Sequence, residues 1–258
     1  MLTIKDLSVN VDWKNILKNI NLTFDVGKNY CILWKNGSWK SSLAMSVMWN
    51  PKYEITAGDI QIDKISLKKI DPHARAKLWI FLAFQHIPEI PWVKVFEFLR
   101  SIYDAKNDSQ TSFLQFKKII EPMISELWID KDFLRRDLNV GFSGGERRKL
   151  EILQLRLLEP KYIFLDEIDS WLDVDAFKSV AKLVAKLNHE KNTFIIITHL
   201  FDILDHLPID EVCVIEKWEI IKKRNEVKSR TSAKDWSRSG GRVKKIIKKI
   251  KSDWFENI

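Results

Sequence analysis

Apolar positions along the chain follow two rhythms. Over residues 2–9 and 20–24 they largely alternate with polar ones, as a strand with one buried face requires, and Asp25-Val26-Gly27-Lys28 reads as a turn into the unbroken apolar run 30–33. A polar loop follows. Residues 40–48 then carry helix-favouring side chains without a breaker, and Trp49-Asn50-Pro51 stands where a helix stop is due. Between 95 and 160 the spacing becomes helical, through Val95, Phe96, Phe98 and Leu99, then Phe113, Phe116, Ile119, Ile120, Met123 and Leu127. Apolar strand runs return at 162–165, 194–198 and 212–215, with a helical stretch at 174–187. This alternation predicts an α/β fold around a largely parallel sheet, the helical middle being an insert.

Beyond residue 223 the composition shifts to Lys, Arg, Ser and Gly as far as 241, which predicts a flexible insertion. In 242–251, Val243, Ile246, Ile247 and Ile250 fall on one helical face and lysines on the other. A terminal helix packing its isoleucines on the domain is the preferred reading over a membrane-surface or acidic-partner helix. The net charge of +8 concentrates here: residues 222–251 hold 13 Lys or Arg against 2 acids, so the rest of the chain is mildly acidic. Apolar runs are too short to cross a bilayer and the first residues lack a signal-peptide profile, so a cytoplasmic protein is expected. Cys31 and Cys213 each sit inside an apolar run, which predicts buried strand positions rather than a disulfide or a metal site.

Candidate chemistry gathers around the loop after residue 33. Lys40-Ser41 opens a helix, where an amine can reach β- and γ-phosphates, a hydroxyl can bind Mg²⁺, and the helix N-terminus favours anions. Downstream, Tyr162-Ile163-Phe164-Leu165-Asp166-Glu167 is an apolar strand ending in two acids, one suited to hydrated Mg²⁺ and the next to activating water. Gly141-Phe142-Ser143-Gly144-Gly145-Glu146 lies between them, and Ser170-Trp171-Leu172-Asp173 and Ile197-Thr198-His199 come after.

In this order, and with Gln85 in Ala83-Phe84-Gln85, these elements resemble the ATP-binding-cassette (ABC) ATPases over residues 1 to about 223. The resemblance implies a P-loop NTPase core with a mainly parallel sheet, an antiparallel β portion and a helical subdomain at about 86–160, followed by a basic insertion and helix at 224–258. It implies ATP and Mg²⁺ as cofactors. Trp34, Asn36, Gly37, Ser38, Trp39, Lys40, Ser41 and Ser42 would form the phosphate loop, and Ser41, Gln85 and Asp166 would hold the metal. Glu167 would be the general base and His199 the contact to the γ-phosphate. Ser143, Gly144, Gly145 and Glu146, with Asp173, would close on nucleotide held by a second copy, giving a transient head-to-tail homodimer on ATP. Within the superfamily, 81–93, 139–146 and 165–176 are most similar to SufC, the ATPase of SUF iron–sulfur cluster assembly, whose partners are SufB/SufD-like scaffold proteins. Departures are Lys35 where proline is usual, Leu200 after His199 where an aromatic is common, and the basic stretch near 225–241. The rivals are a membrane-transporter cassette, a catalytically dead scaffold, and, ranked last, nucleic-acid binding through 222–251, which no base-reading module accompanies.

One feature conflicts with this assignment. Backbone amides of such a loop wrap the phosphates, so Trp39 before Lys40 would put an indole where phosphate belongs. As written, with Trp34 and Trp39, the loop is expected to be inactive. Yet Trp34, Trp39, Trp92 and Trp171 all fall where the family has glycine, and Trp49, Trp128 and Trp218 sit at helix ends or turns that favour it. Trp13, Trp79, Trp236 and Trp254 fit glycine positions less decisively. The chain has 8 Gly and 11 Trp; together they make up about 7% of the residues, the ordinary glycine share. One cause accounts for loop, caps and composition: UGA codons, read as glycine in some bacterial lineages, translated as tryptophan. Trp13 is therefore not assigned to adenine stacking.

Overall fold

The computed structural model describes residues 1–34, 41–84, 87–166, 187–198, 209–216 and 219–225. The first unit is an antiparallel sheet. β1 (Leu2–Val11) pairs with β2 (Lys14–Phe24) on one side and β4 (Glu54–Ile62) on the other, and β5 (Ile65–Ser66) completes the order β2-β1-β4-β5. β2 starts well before residue 20. Register shifts in the β1–β2 ladder break its period, which explains why only its end is legible as alternation.

A second sheet of six strands has the order β12-β11-β3-β10-β9-β6. β3 (Tyr30–Trp34), β6 (Ile80–Ala83), β9 (Tyr162–Asp166), β10 (Thr193–Thr198) and β11 (Glu211–Glu216) run parallel, and β12 (Glu219–Asn225) closes the edge antiparallel to β11. Successive residues of these strands enter two different cores. Cys31, Leu33, Ile163, Leu165, Phe194 and Ile196 pack toward the helical side, whereas Tyr30, Ile32, Tyr162, Phe164, Ile195 and Ile197 pack against the antiparallel sheet and α1 (Ser42–Val47). With both faces covered, the strands read as continuous apolar runs. Cys31 and Cys213 are fully buried in β3 and β11.

The helical side is built from α3 (Val95–Asn107), α4 (Phe113–Glu126), a 3-10 turn at Lys131–Arg135 and α5 (Gly144–Leu158), with the short pair β7 (Ile90–Lys94) and β8 (Asp137–Leu138) beside them. Aromatic contacts join α3 and α4, Phe96 lying 5.2 Å from Phe116 and 4.6 Å from Phe113. α2 (Pro72–Lys77), which precedes β6, is capped by Asp71, whose carboxylate accepts from the Ala74 amide. The stretch 174–186, the insertion to 241 and the helix at 242–251 lie outside the described residues.

Left-handed backbone recurs at the tryptophans, as it does among the described residues at eight other non-glycine positions, mostly Asp and Asn. Of the six whose backbone is described, Trp13, Trp49, Trp79, Trp92 and Trp128 have φ of 65°, 56°, 68°, 68° and 53°, the left-handed region that Gly27, Gly58 and Gly141 also occupy. An L side chain there crowds its own carbonyl, at about 1–2 kcal/mol per residue. Trp49 and Trp128 each stand one past a helix C-cap. The Trp128 amide donates to Ser125 and the next amide to Ile124, while Trp49 and Asn50 donate likewise to Ser46 and Met45. This double closure normally selects glycine. Packing offers no compensation at three of the sites, since Trp13, Trp92 and Trp128 are 96%, 90% and 88% exposed. Trp92→Gly and Trp128→Gly are each expected to raise the unfolding free energy in urea by about 1 kcal/mol. Alanine at the same positions keeps the Cβ and should leave stability nearly unchanged.

Candidate functional site

The parallel strands end together along one edge of the six-stranded sheet. In β10, Ile197 is opposite Ile32 of β3 and Asp166 of β9, so β3, β9 and β10 end at nearly the same level, with Asp166 closing β9 on that edge. Crevices at the carboxyl ends of parallel strands are where α/β folds bind ligands. Trp34 is the last residue of β3, opposite Ile215. Asn36, Gly37, Ser38, Trp39 and Lys40, and likewise Gln85, Glu167, Asp173 and His199, lie outside the described residues.

Ser41 is the N-cap of α1, and its hydroxyl does not cap the helix. Ser42 is fully buried. Asp166 is buried to the same degree, and the Tyr53 phenol links the two. Its pKa is raised, first by burial and then by the Asp166 carboxylate, against a hydrogen bond with Ser42. The start of α1 and the end of β9 are thus within electrostatic reach of a single ring. From the other end, Arg75 holds α1. Its guanidinium donates to the carbonyls of Ser46 at 3.2 Å and Val47 at 2.6 Å, and also to Leu67 and Ile70. Burial lowers the Arg75 pKa to about 10, leaving it cationic at neutral pH against the negative end of the α1 dipole. Neither Tyr53 nor Arg75 carries a local sequence signal, because each acts through contacts distant along the chain.

Mg²⁺ does not need an all-protein cage; it keeps waters and takes one or two carboxylates or hydroxyls together with substrate phosphates. Among the described residues there is no group of three or more His, Cys, Asp or Glu suited to a metal. A buried Asp166 carboxylate near the opening of α1, where Ser41 stands, suits a nucleotide-borne Mg²⁺ in its donor set.

Ser143, Gly144, Gly145 and Glu146, the other expected site residues that are described, stand at the N-terminus of α5. The Ser143 hydroxyl accepts from the Glu146 amide at 3.2 Å, and Glu146 Oε2 accepts from the Ser143 amide at 2.8 Å, a reciprocal capping box. Arg136 donates to Glu146 at 2.6 Å and to the Gly141 carbonyl at 3.0 Å, and lies over the Phe142 ring at 4.2 Å. Desolvation pushes the Glu146 carboxyl up, but the Ser143 and Arg136 hydrogen bonds outweigh it and the pKa is lowered. A Cβ added at Gly145 would meet nothing within 4 Å, so this corner faces open space. Among the described residues, no helix is long and apolar enough to cross a membrane.

Residues 17–170 match the family model described as ABC transporter. Curated relatives extend the likeness further. A probable ATP-dependent transporter, ycf16, of Antithamnion sp. is 43% identical over 225 residues, covering 86% of this chain and 90% of its own. Vegetative protein 296 of Bacillus subtilis is 38% identical over 240 residues, covering 91% and 92%. Among solved structures, the ATP-binding cassette MJ0796, a dimer in a post-hydrolysis state bound to ADP and Pi, has a TM-score of 0.75 at 20% identity. It covers 89% of this chain and 100% of its own, which establishes a shared fold.

The capping box makes a pH-dependent contribution of known sign. A depressed Glu146 pKa stabilises the fold above the ordinary glutamate value of 4.5, and that contribution is lost as pH falls below it. Glu146→Gln should therefore be less stable than the parent at pH 7, with the difference shrinking as pH falls below 4.5 in chemical denaturation. Ser143→Ala is expected to cost about 1 kcal/mol at pH 7.

Proposed function

The chain belongs to the ABC transporter ATPase family, working on ATP with Mg²⁺, and from that premise we propose that it carries glycine at its tryptophan positions and powers a SUF-type iron–sulfur cluster assembly complex. One observation carries the reading. Five of the six tryptophans with described backbone stand in the left-handed conformation that glycine adopts without strain, which supports glycine at those positions and, by the same cause, at Trp34 and Trp39.

With glycine at 34 and 39, bare main chain can wrap the triphosphate, Lys40 reaches its β- and γ-oxygens, and the N-terminus of α1 adds its dipole. Ser41, Gln85 and Asp166 would hold Mg²⁺, which when bound neutralises charge on the phosphate oxygens. Glu167 draws a proton from the attacking water and His199 contacts the γ-phosphate. Ser143, Gly144, Gly145 and Glu146 close over the nucleotide of a second copy, with Asp173 at the same junction, so two sites form only in the head-to-tail dimer. The open space in front of Gly145 supports that docking.

The cluster-assembly role rests on 81–93, 139–146 and 165–176, the segments most similar to SufC. Its partners would be SufB/SufD-like scaffold proteins in the cytoplasm, remodelled as the ATPase subunits dimerise. We place the ATPase domain at 1–223, its helical subdomain at about 86–160, and the basic insertion and helix at 224–258. A membrane-transporter cassette is the second reading, favoured by the printed names of relatives such as the ATP-dependent transporter ycf16.

Two forms of the protein test the proposal. A chain with all 11 tryptophans replaced by glycine is expected to hydrolyse MgATP, whereas the chain with tryptophans should show no turnover above background. Affinity capture of the native protein from its host should retain SufB/SufD-like proteins. Retention of a membrane permease instead would favour the transporter reading, and an inert glycine form would contradict the ATPase mechanism.

A further inference from the structure

Arg75 of α2 is 1% exposed, and among the described residues no carboxylate forms an ion pair with it. Main-chain carbonyls stand in the place of a counter-ion. Nε donates to Ile70 at 2.7 Å, Nη2 to Leu67, and Nη1 to Ser46 at 3.2 Å and Val47 at 2.6 Å. The Trp49 ring lies over the guanidinium at 5.2 Å, but none of these bonds uses that side chain, so glycine at 49 leaves them in place. Carbonyl dipoles solvate the cation without neutralising it. A lone buried charge carries a desolvation penalty that an apolar side chain of similar volume, filling the same space beside α1, would not.

The charge also has a direction. Ser46 and Val47 belong to the last turn of α1, where the helix carries its negative pole, and Arg75 covers that pole. The other end of the same helix opens at Ser41 and Ser42, toward the proposed phosphate site. Six residues of helix make about 9 Å, so a phosphate beyond Ser41 would lie about 12 Å from the guanidinium. At that distance, and at an effective dielectric of about 20, one unit charge on each partner changes an equilibrium about tenfold. Salt screens a charge held out of solvent much less than it screens a surface lysine.

We propose that Arg75 is a positioning residue for the nucleotide, a permanent cation behind α1 that raises affinity in step with phosphate charge and so favours ATP over ADP. The inference rests on the phosphate site of the proposed function. Product release is eased by the same device, because loss of the γ-phosphate removes part of the attraction to the buried charge.

The test uses the glycine-bearing full chain and equilibrium binding of ATP and of ADP, each without Mg²⁺ in mildly alkaline buffer, where ATP carries one charge more. Arg75→Gln keeps donors for the carbonyls and removes the charge, Arg75→Met removes both, and Arg75→Lys keeps the charge on a different shape. In the two neutral variants the ratio of ATP affinity to ADP affinity should fall about tenfold, whereas the lysine variant should hold the parental ratio within about twofold. A merely structural role would weaken ATP and ADP by the same factor in all three. An unchanged ratio in a folded neutral variant therefore overturns the inference. Failure of both neutral variants to fold, read by circular dichroism, overturns it too, since the cation would then be a requirement of the fold. A glycine-bearing parent that binds neither nucleotide contradicts the proposed function itself.

Discussion

Burial of the six-stranded sheet on both faces is the constraint on which the rest depends. β3, β9 and β10 lie side by side with their odd and even residues committed to different cores, and a slip of one residue in any of them would exchange the two sets of side chains. Register is therefore fixed, and with it the level at which each strand ends. Asp166 reaches the sheet edge beside the opening of α1 because Phe164 and Leu165 cannot trade places. The positions of Asp166, of the opening of α1 and of the end of β10 follow from hydrophobic packing well below them.

Around that frame, polar groups are used to stiffen the connections. Arg75 gathers four carbonyls where α1 ends, the Ser143–Glu146 box starts α5, and the Arg148–Glu151 pair finishes β6. Each sits at the terminus of an element, where the backbone groups lack ladder or helical partners. Each also adjoins a segment proposed to touch nucleotide. Of these groups Arg75, Arg148 and Glu151 are buried, and each fixes the end of one element against another.

Much of this was legible along the chain. Runs such as 30–33, 162–165, 194–198 and 212–215 declared themselves as buried strands because both neighbours and both faces are apolar. The start of β2 and all of β4 were not, since bulges and exposed faces in the antiparallel sheet blur the alternation. Tyr53, Arg75 and Glu151 were also silent. The contacts that matter, of Tyr53 with Ser42 and the end of β9, of Arg75 with four carbonyls and of Glu151 with the Phe84 amide, join segments distant along the chain. The tryptophans gave the opposite case: local reading placed them at positions that favour glycine, and at Trp13, Trp49, Trp79, Trp92 and Trp128 the left-handed backbone is strain that glycine would relieve.

The central claim is that these positions require a residue without a side chain. Peptide mass spectrometry of the protein isolated from its source organism tests it most directly, on the peptides spanning 34, 39, 49, 92 and 128. Glycine masses at all five are the expected result. Tryptophan masses at 34 and 39 would contradict the account.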